Sequence, residues 1–78
     1  MSKLDKLVQK LLNDPPELNY DDVYYILTSF GFKEVSNKGS HHTFRNNQKL
    51  KITIPKKGGK TVKRTYLKQI VKLINLEN

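Results

Sequence analysis

The chain has 78 residues, no cysteine and a net charge of +8. A chain of this length builds one small core, which excludes a large enclosed substrate pocket, and the lack of cysteine excludes disulfides and thiolate zinc sites and fits a reducing, intracellular setting. No apolar run approaches the ~18 residues that span a bilayer, so we expect a soluble, cytoplasmic protein that makes no membrane contact.

The first part of the chain predicts two helices. Leucine and valine recur at helical spacing from Leu4 to Leu12, and the sequence NDPP at 13–16 ends that helix, because proline lacks the donor that a helix needs. Asn19 is the expected N-cap of the second helix and Gly31 its stop. The apolar stripe of this second helix has i, i+3, i+4, i+7 spacing and comprises Val23, Ile26, Leu27 and Phe30.

After Gly31 the pattern changes to that of strands. Strands are expected at 32–36, 41–45 and 49–54, with tight turns at Lys38-Gly39 and Asn46-Asn47 and with Pro55 closing the meander. A basic loop, KKGGK at 56–60, then precedes a final helix whose apolar residues are Leu67, Ile70, Val71 and Ile74. The prediction is an α+β fold in the order α-α-β-β-β-α, in which a three-stranded antiparallel sheet buries one face under helices and leaves the other to solvent.

The positive charge is concentrated in the second half of the chain. Residues 1–34 carry four lysines against six carboxylates, whereas residues 35–76 carry eleven lysines and arginines and no carboxylate. This asymmetry indicates a polyanionic partner, and the strand patterns of the basic segment favour nucleic acid over an anionic membrane.

Strand alternation predicts which side chains of the sheet meet solvent. Phe44 must face the core and takes His42 inward with it. The residues predicted on the open side are His41, Thr43, Arg45, Lys49, Lys51 and Thr53. A histidine transfers protons near neutral pH, and in RNA cleavage the substrate's own 2′-hydroxyl is the nucleophile, so such a face could cut RNA without a metal or cofactor. A metal pair at His41 and His42 is not expected, because adjacent strand residues point to opposite faces.

One set of residues resembles a known family. Gly31-Phe32, six intervening residues, Gly39-Ser40-His41, then Phe44 and the ITIP strand end before a lysine-rich helix, are similar to the HicA-type toxins of bacterial toxin-antitoxin modules. The resemblance covers roughly residues 20–75. It implies a double-stranded-RNA-binding-domain-like fold, an mRNA interferase activity that cleaves mRNA, and a cognate HicB-type antitoxin protein as partner. It divides the chain into a helical extension with a Pro-Pro linker, 1–18, and a HicA-like domain, 19–78.

The resemblance also implies roles for particular residues. It makes His41 the catalytic histidine, with His42 as the alternative, because some relatives carry the histidine one position later. Gly39 is expected to serve the turn. Ser40 is expected either to cap the hairpin or to touch phosphate. The charge and strand pattern, and not the resemblance, indicates the candidate RNA-contacting residues, only some of which are expected to bind: Ser40, Thr43, Arg45, Lys49, Lys51, Lys56, Lys57, Lys60, Lys63 and Arg64. Two other functions stay open from the sequence: a non-catalytic module that grips double-stranded RNA by shape, and a basic surface that docks an acidic protein.

Overall fold

Three helices and five strands form the chain in this computed structural model, which describes residues 2–56, 58 and 60–77, with 75–77 described by their backbone. The elements are α1 (Lys3–Leu12), β1 (Glu17–Asn19), α2 (Tyr20–Ser29), β2 (Lys33–Lys38), β3 (His41–Arg45), β4 (Lys51–Pro55), β5 (Thr61–Lys63) and α3 (Arg64–Glu77). None of the described helices has the length and apolar character that crossing a bilayer requires.

The larger sheet is the predicted meander. Strands β2, β3 and β4 pair antiparallel in that order, and Phe44, Ile52 and Ile54 on its inner side are buried. They join one core with the apolar stripes of α2 and α3, which include Val23, Ile26, Leu27, Leu67 and Ile70. Apolar burial of this kind contributes about 25 cal/mol per Å². The α+β prediction, with a three-stranded sheet on helices, is therefore confirmed.

Helix α2 begins and ends where the sequence predicts, but the hydrogen bond at its start is not the predicted side-chain cap. Asn19 occupies the cap position without a side-chain capping hydrogen bond. Instead the amide of Tyr20 donates to the carbonyl oxygen of Lys60 at 2.8 Å. At the other end Gly31 has φ +91°, a left-handed conformation that glycine adopts without steric cost.

The strand boundaries differ from the prediction for two local reasons. A β-bulge between Glu34 and Ser36 lengthens β2 to Lys38, so the turn falls at Gly39-Ser40, one residue later than predicted. After β3, the Asn46 side chain accepts hydrogen bonds from the amides of Gln48 and Leu50, which holds the loop and delays β4 until Lys51.

A second sheet of two short strands was not predicted. Strand β1 pairs antiparallel with β5, and their central residues Leu18 and Val62 are both buried. Three residues a strand are too few for alternation to be recognised in the sequence. This sheet joins the chain before α2 to the chain before α3, and so fixes the start of α3.

Helix α1 packs into the same core as the rest of the chain. Leu7 and Leu11 are buried with the residues of α2 and α3, while Leu12 is 55% exposed. Ser2 accepts a hydrogen bond from the amide of Asp5 at 3.2 Å and caps the helix. The N-terminal segment is therefore a packed element of the fold.

Replacing Leu11 by alanine tests the packing of α1. Because Leu11 is only 2% exposed, Leu11→Ala should lower the free energy of unfolding by about 2–5 kcal/mol. Leu12→Ala, which removes the same atoms from a solvent-exposed position, should change it by about 0.5 kcal/mol or less. Urea unfolding followed by circular dichroism measures both; equal effects would mean that α1 does not pack on the core in solution.

Candidate functional site

Three rows of side chains cross the solvent side of the larger sheet, as its register determines. The first row is Lys33, Arg45 and Lys51, the second is Ser36, Thr43 and Thr53, and the third is Lys38, His41 and Pro55. We call these nine residues the open face. None of them is acidic.

The first row places three cations side by side. Arg45 of β3 lies directly opposite Lys33 of β2 on one side and Lys51 of β4 on the other, and all three are exposed. Like charges in directly opposed positions destabilise a sheet. A polyanion bound across the row would remove that repulsion, so the arrangement favours phosphate groups as the ligand.

The second row supplies hydroxyl groups between the cations and the histidine. Thr43 and Thr53 are cross-strand partners, and their Oγ1 atoms are 3.1 Å apart, a hydrogen-bonding distance. Hydroxyl groups commonly contact phosphate and sugar oxygens. The row therefore continues a polar surface from the cations toward His41.

His41 begins β3 and is exposed. Its register partners are Lys38 on β2 and Pro55 on β4, so the third row places a lysine directly opposite His41 on the neighbouring strand. Gly39, in the turn between Lys38 and His41, has φ +61°, where a residue with a Cβ would be strained. A tight turn thus brings the lysine and the histidine onto adjacent strands.

His42 lies on the other side of the sheet. It is 6% exposed, and its ring stacks at a tilt on Tyr20 with centroids 4.6 Å apart. Its Nδ1 lies 3.3 Å from Oε1 of Glu34, the same oxygen that accepts a hydrogen bond from the Tyr20 hydroxyl at 2.6 Å. Burial, followed by the hydrogen bond to Glu34, raises the pKa of Tyr20 above its usual value. His42 is therefore a packed and partnered histidine, whereas His41 meets solvent.

The predicted alternation of β3 and β4 is confirmed, with one exception. His41, Arg45 and Lys51 are exposed and His42 is buried. Lys49 was predicted on the open side of the third strand, and this is wrong, because Lys49 lies in the loop before β4 with φ +66°. The cause is the Asn46 side chain, which organises that loop.

The contribution of β2 to the open face was not predicted from the sequence. Simple alternation from Lys33 would turn Ser36 and Lys38 inward, but the bulge at Val35 reverses the pattern, so both share the side of Lys33. The Lys38-Gly39-Ser40-His41 hairpin is the signal that could have shown Lys38 beside His41, since residues flanking a two-residue turn oppose one another.

The other residues predicted to contact RNA are spread over different surroundings. Ser40, Lys56 and Lys63 line a groove beside the β3 hairpin, and Lys60 lines another with Tyr20. Arg64 contacts the turn after α1, with its Nε 3.5 Å from Oδ1 of Asp14. Lys57 lies outside the described residues. Within the described part of the chain, no three histidines or carboxylates come together as a metal site would need.

A small α+β domain with a cationic, carboxylate-free sheet face is typical of proteins that bind nucleic acid. The model of the HicA toxin family of bacterial toxin-antitoxin systems matches residues 20–76, and the chain belongs to that family. Its members are RNase toxins that act on RNA and have an antitoxin partner. Neither a curated protein nor a solved structure matches the chain significantly.

Reversing one charge of the first row tests its like-charge repulsion. Lys51→Glu should raise the free energy of unfolding by roughly 0.2–1 kcal/mol, because it turns a repulsive cross-strand pair with Arg45 into an attractive one. The same variant should bind RNA more weakly. Chemical unfolding and RNA-binding anisotropy measure the two effects.

Arg45→Gln is the control for the change in net charge. In that background Lys51→Glu should lose its stabilising effect, since the coupled partner is gone. A gain of stability that is equal in both backgrounds would contradict the repulsion.

Proposed function

We propose that this toxin is a metal-independent endoribonuclease that cleaves mRNA, with His41 as its acid or base catalyst. The observation that carries the proposal is the position of His41, exposed on a sheet face that holds cations and hydroxyls and no carboxylate. His42 is the weaker candidate, because its ring is buried and its Nδ1 faces Glu34.

The reaction requires few groups from the protein. The 2′-hydroxyl of the RNA attacks the adjacent phosphorus, the bond from phosphorus to the 5′-oxygen breaks, and the products are a 2′,3′-cyclic phosphate and a 5′-hydroxyl. One proton leaves the 2′-oxygen and one arrives on the 5′-oxygen. His41 transfers one of these protons, and solvent exchanges the other. Because the nucleophile belongs to the substrate, the reaction needs no metal.

The cations next to His41 stabilise the charge that develops on the phosphate. Lys38 is its cross-strand neighbour and serves this purpose most directly. The first row, with Arg45 and Lys51, holds the RNA backbone further along the sheet. Ser40, Thr43, Lys49, Lys56, Lys57, Lys60, Lys63 and Arg64 complete the proposed RNA-contacting set.

A HicB-type antitoxin is the proposed protein partner. An acidic surface on it would pair with the same cations that bind RNA and would cover His41, so antitoxin and RNA would compete. Both partners meet the toxin in the cytoplasm.

A cleavage assay on matched histidine variants tests the catalytic proposal. In excess EDTA, the wild type should cut an unstructured RNA, and His41→Ala should be slower by about 10²–10⁴-fold, the usual contribution of one proton-transfer group. Added imidazole should restore part of the His41→Ala activity, because a free base can enter the exposed position. Gel analysis of end-labelled RNA gives the rates.

His42→Gln is the matched control, since it changes the neighbouring imidazole on the buried side. It should lower thermal stability while it keeps most of the cleavage. Cleavage that survives His41→Ala would contradict the proposal. Tight RNA binding by a wild type that never cuts would favour the non-catalytic double-stranded-RNA-binding-like module.

A further inference from the structure

A groove beside the β3 hairpin has no role in the proton transfers described above. It has a volume of about 310 Å³ and is lined by Ser40, Pro55, Lys56, Gly58, Lys63 and Tyr66. Ligand sites usually have volumes from about 300 Å³ upward, so this groove has room for a group of the size of one nucleotide.

The groove adjoins the proposed catalytic histidine. Ser40 precedes His41 in the chain, and Pro55 is the cross-strand partner of His41. The amide of Lys56 donates to the carbonyl oxygen of Ser40 at 2.8 Å, which ties this wall of the groove to the hairpin. An RNA with its phosphate at His41 would therefore extend its next nucleotide into the groove.

The charges of the groove fit a phosphate group. Lys56 and Lys63 contribute two ammonium groups, and none of the six lining residues is acidic. Lys56 stands between two grooves: its ammonium is 4.5 Å from the centroid of the Tyr20 ring, and it also lines the neighbouring groove that contains Tyr20 and Asp21. Lys63 is therefore the cation that belongs to this groove alone among the grooves described. Glu17, the register partner of Lys63, lines a different groove and lies 3.4 Å from the Thr61 hydroxyl, which donates to it.

Tyr66 gives the groove an aromatic ring, which a site for phosphate alone would not need. It lies in the first turn of α3, is partly buried against the hydrophobic core, and forms part of the groove wall. Aromatic side chains next to cations are the usual platforms for unstacked bases. The helix fixes the position of this ring, because the chain before α3 is held in the β1–β5 sheet.

We propose that the groove binds the nucleotide adjacent to the cleaved phosphodiester, with its base stacked on Tyr66 and its phosphate between Lys56 and Lys63. This inference rests on the proposed function and adds to it a binding site for a single unpaired nucleotide. An RNA held in this way is unstacked at the cut, so single-stranded RNA is the preferred substrate class.

The stacking is tested with a set of RNA hexanucleotides, each of which lacks the base at a different position. The full-length chain with His41→Ala binds without cutting, and fluorescence anisotropy gives its affinity for each abasic RNA. One abasic position should weaken binding by roughly 5- to 150-fold. Tyr66→Leu should weaken binding of the intact RNA by a similar factor and should abolish the effect of that one position, whereas Tyr66→Phe should keep it.

Tyr25→Leu is the control for loss of an exposed tyrosine elsewhere, on α2, and should leave the positional effect intact. A second measurement uses unmodified protein: uridine 3′-monophosphate should shift the Tyr66 ring resonances, and the shifts should shrink in Lys63→Gln.

The outcomes separate this inference from the proposed function. One outcome is that the wild type cuts RNA, but each abasic RNA loses the same affinity whether residue 66 is tyrosine or leucine. The groove then does not bind a base, and the nuclease proposal stands. If the positional effect is present and no RNA is ever cut, the groove is a nucleotide site and the catalytic proposal fails. Unchanged Tyr66 resonances with the mononucleotide would also overturn the inference.

Discussion

The Glu34 carboxylate, shared by Tyr20 and His42 beneath the sheet, is the interaction on which the site depends. The Tyr20 hydroxyl donates to its Oε1 at 2.6 Å and the Nδ1 of His42 lies 3.3 Å from the same atom, so the first residue of α2 is linked to both β2 and β3. A buried polar group is costly unless it is hydrogen-bonded, and here the partners are present. Because adjacent strand residues point to opposite faces, a His42 that is held inward obliges His41 to point outward.

The inner and outer sides of the larger sheet also differ in charge. Glu34, the one carboxylate of the larger sheet, is directed inward, and the outer side keeps the cations. The like charges of Lys33, Arg45 and Lys51 are register partners, and we expect their repulsion to lower the stability of the free protein. Buried apolar contacts, including those of α1, supply the stability that such a face reduces. Binding of a polyanion then benefits from a surface that is already assembled.

Much of this could be predicted from the sequence, since helices and long alternating strands leave periodic patterns. The outward position of His41 and the inward position of His42 followed from Phe44 alone. What could not be predicted depends on single local interactions. The bulge at Val35 reverses the faces of β2, and the Asn46 side chain removes Lys49 from the strand. The β1–β5 sheet is too short to leave a pattern, so the position of Tyr66 beside Ser40 emerges only in three dimensions.

Chemical-shift mapping of a bound RNA tests most directly whether the sheet, and not another surface, meets the substrate. A 2′-O-methylated RNA lacks the nucleophile and so stays intact while it binds ¹⁵N-labelled wild-type protein. The amides of β3 and β4 and of the hairpin at Gly39 should shift, and binding should weaken with salt at a log-log slope of about −0.7 for each phosphate contacted. Shifts confined to α1 and the exposed side of α2, or binding that is indifferent to salt, would contradict the assignment of the open face as the RNA-binding surface.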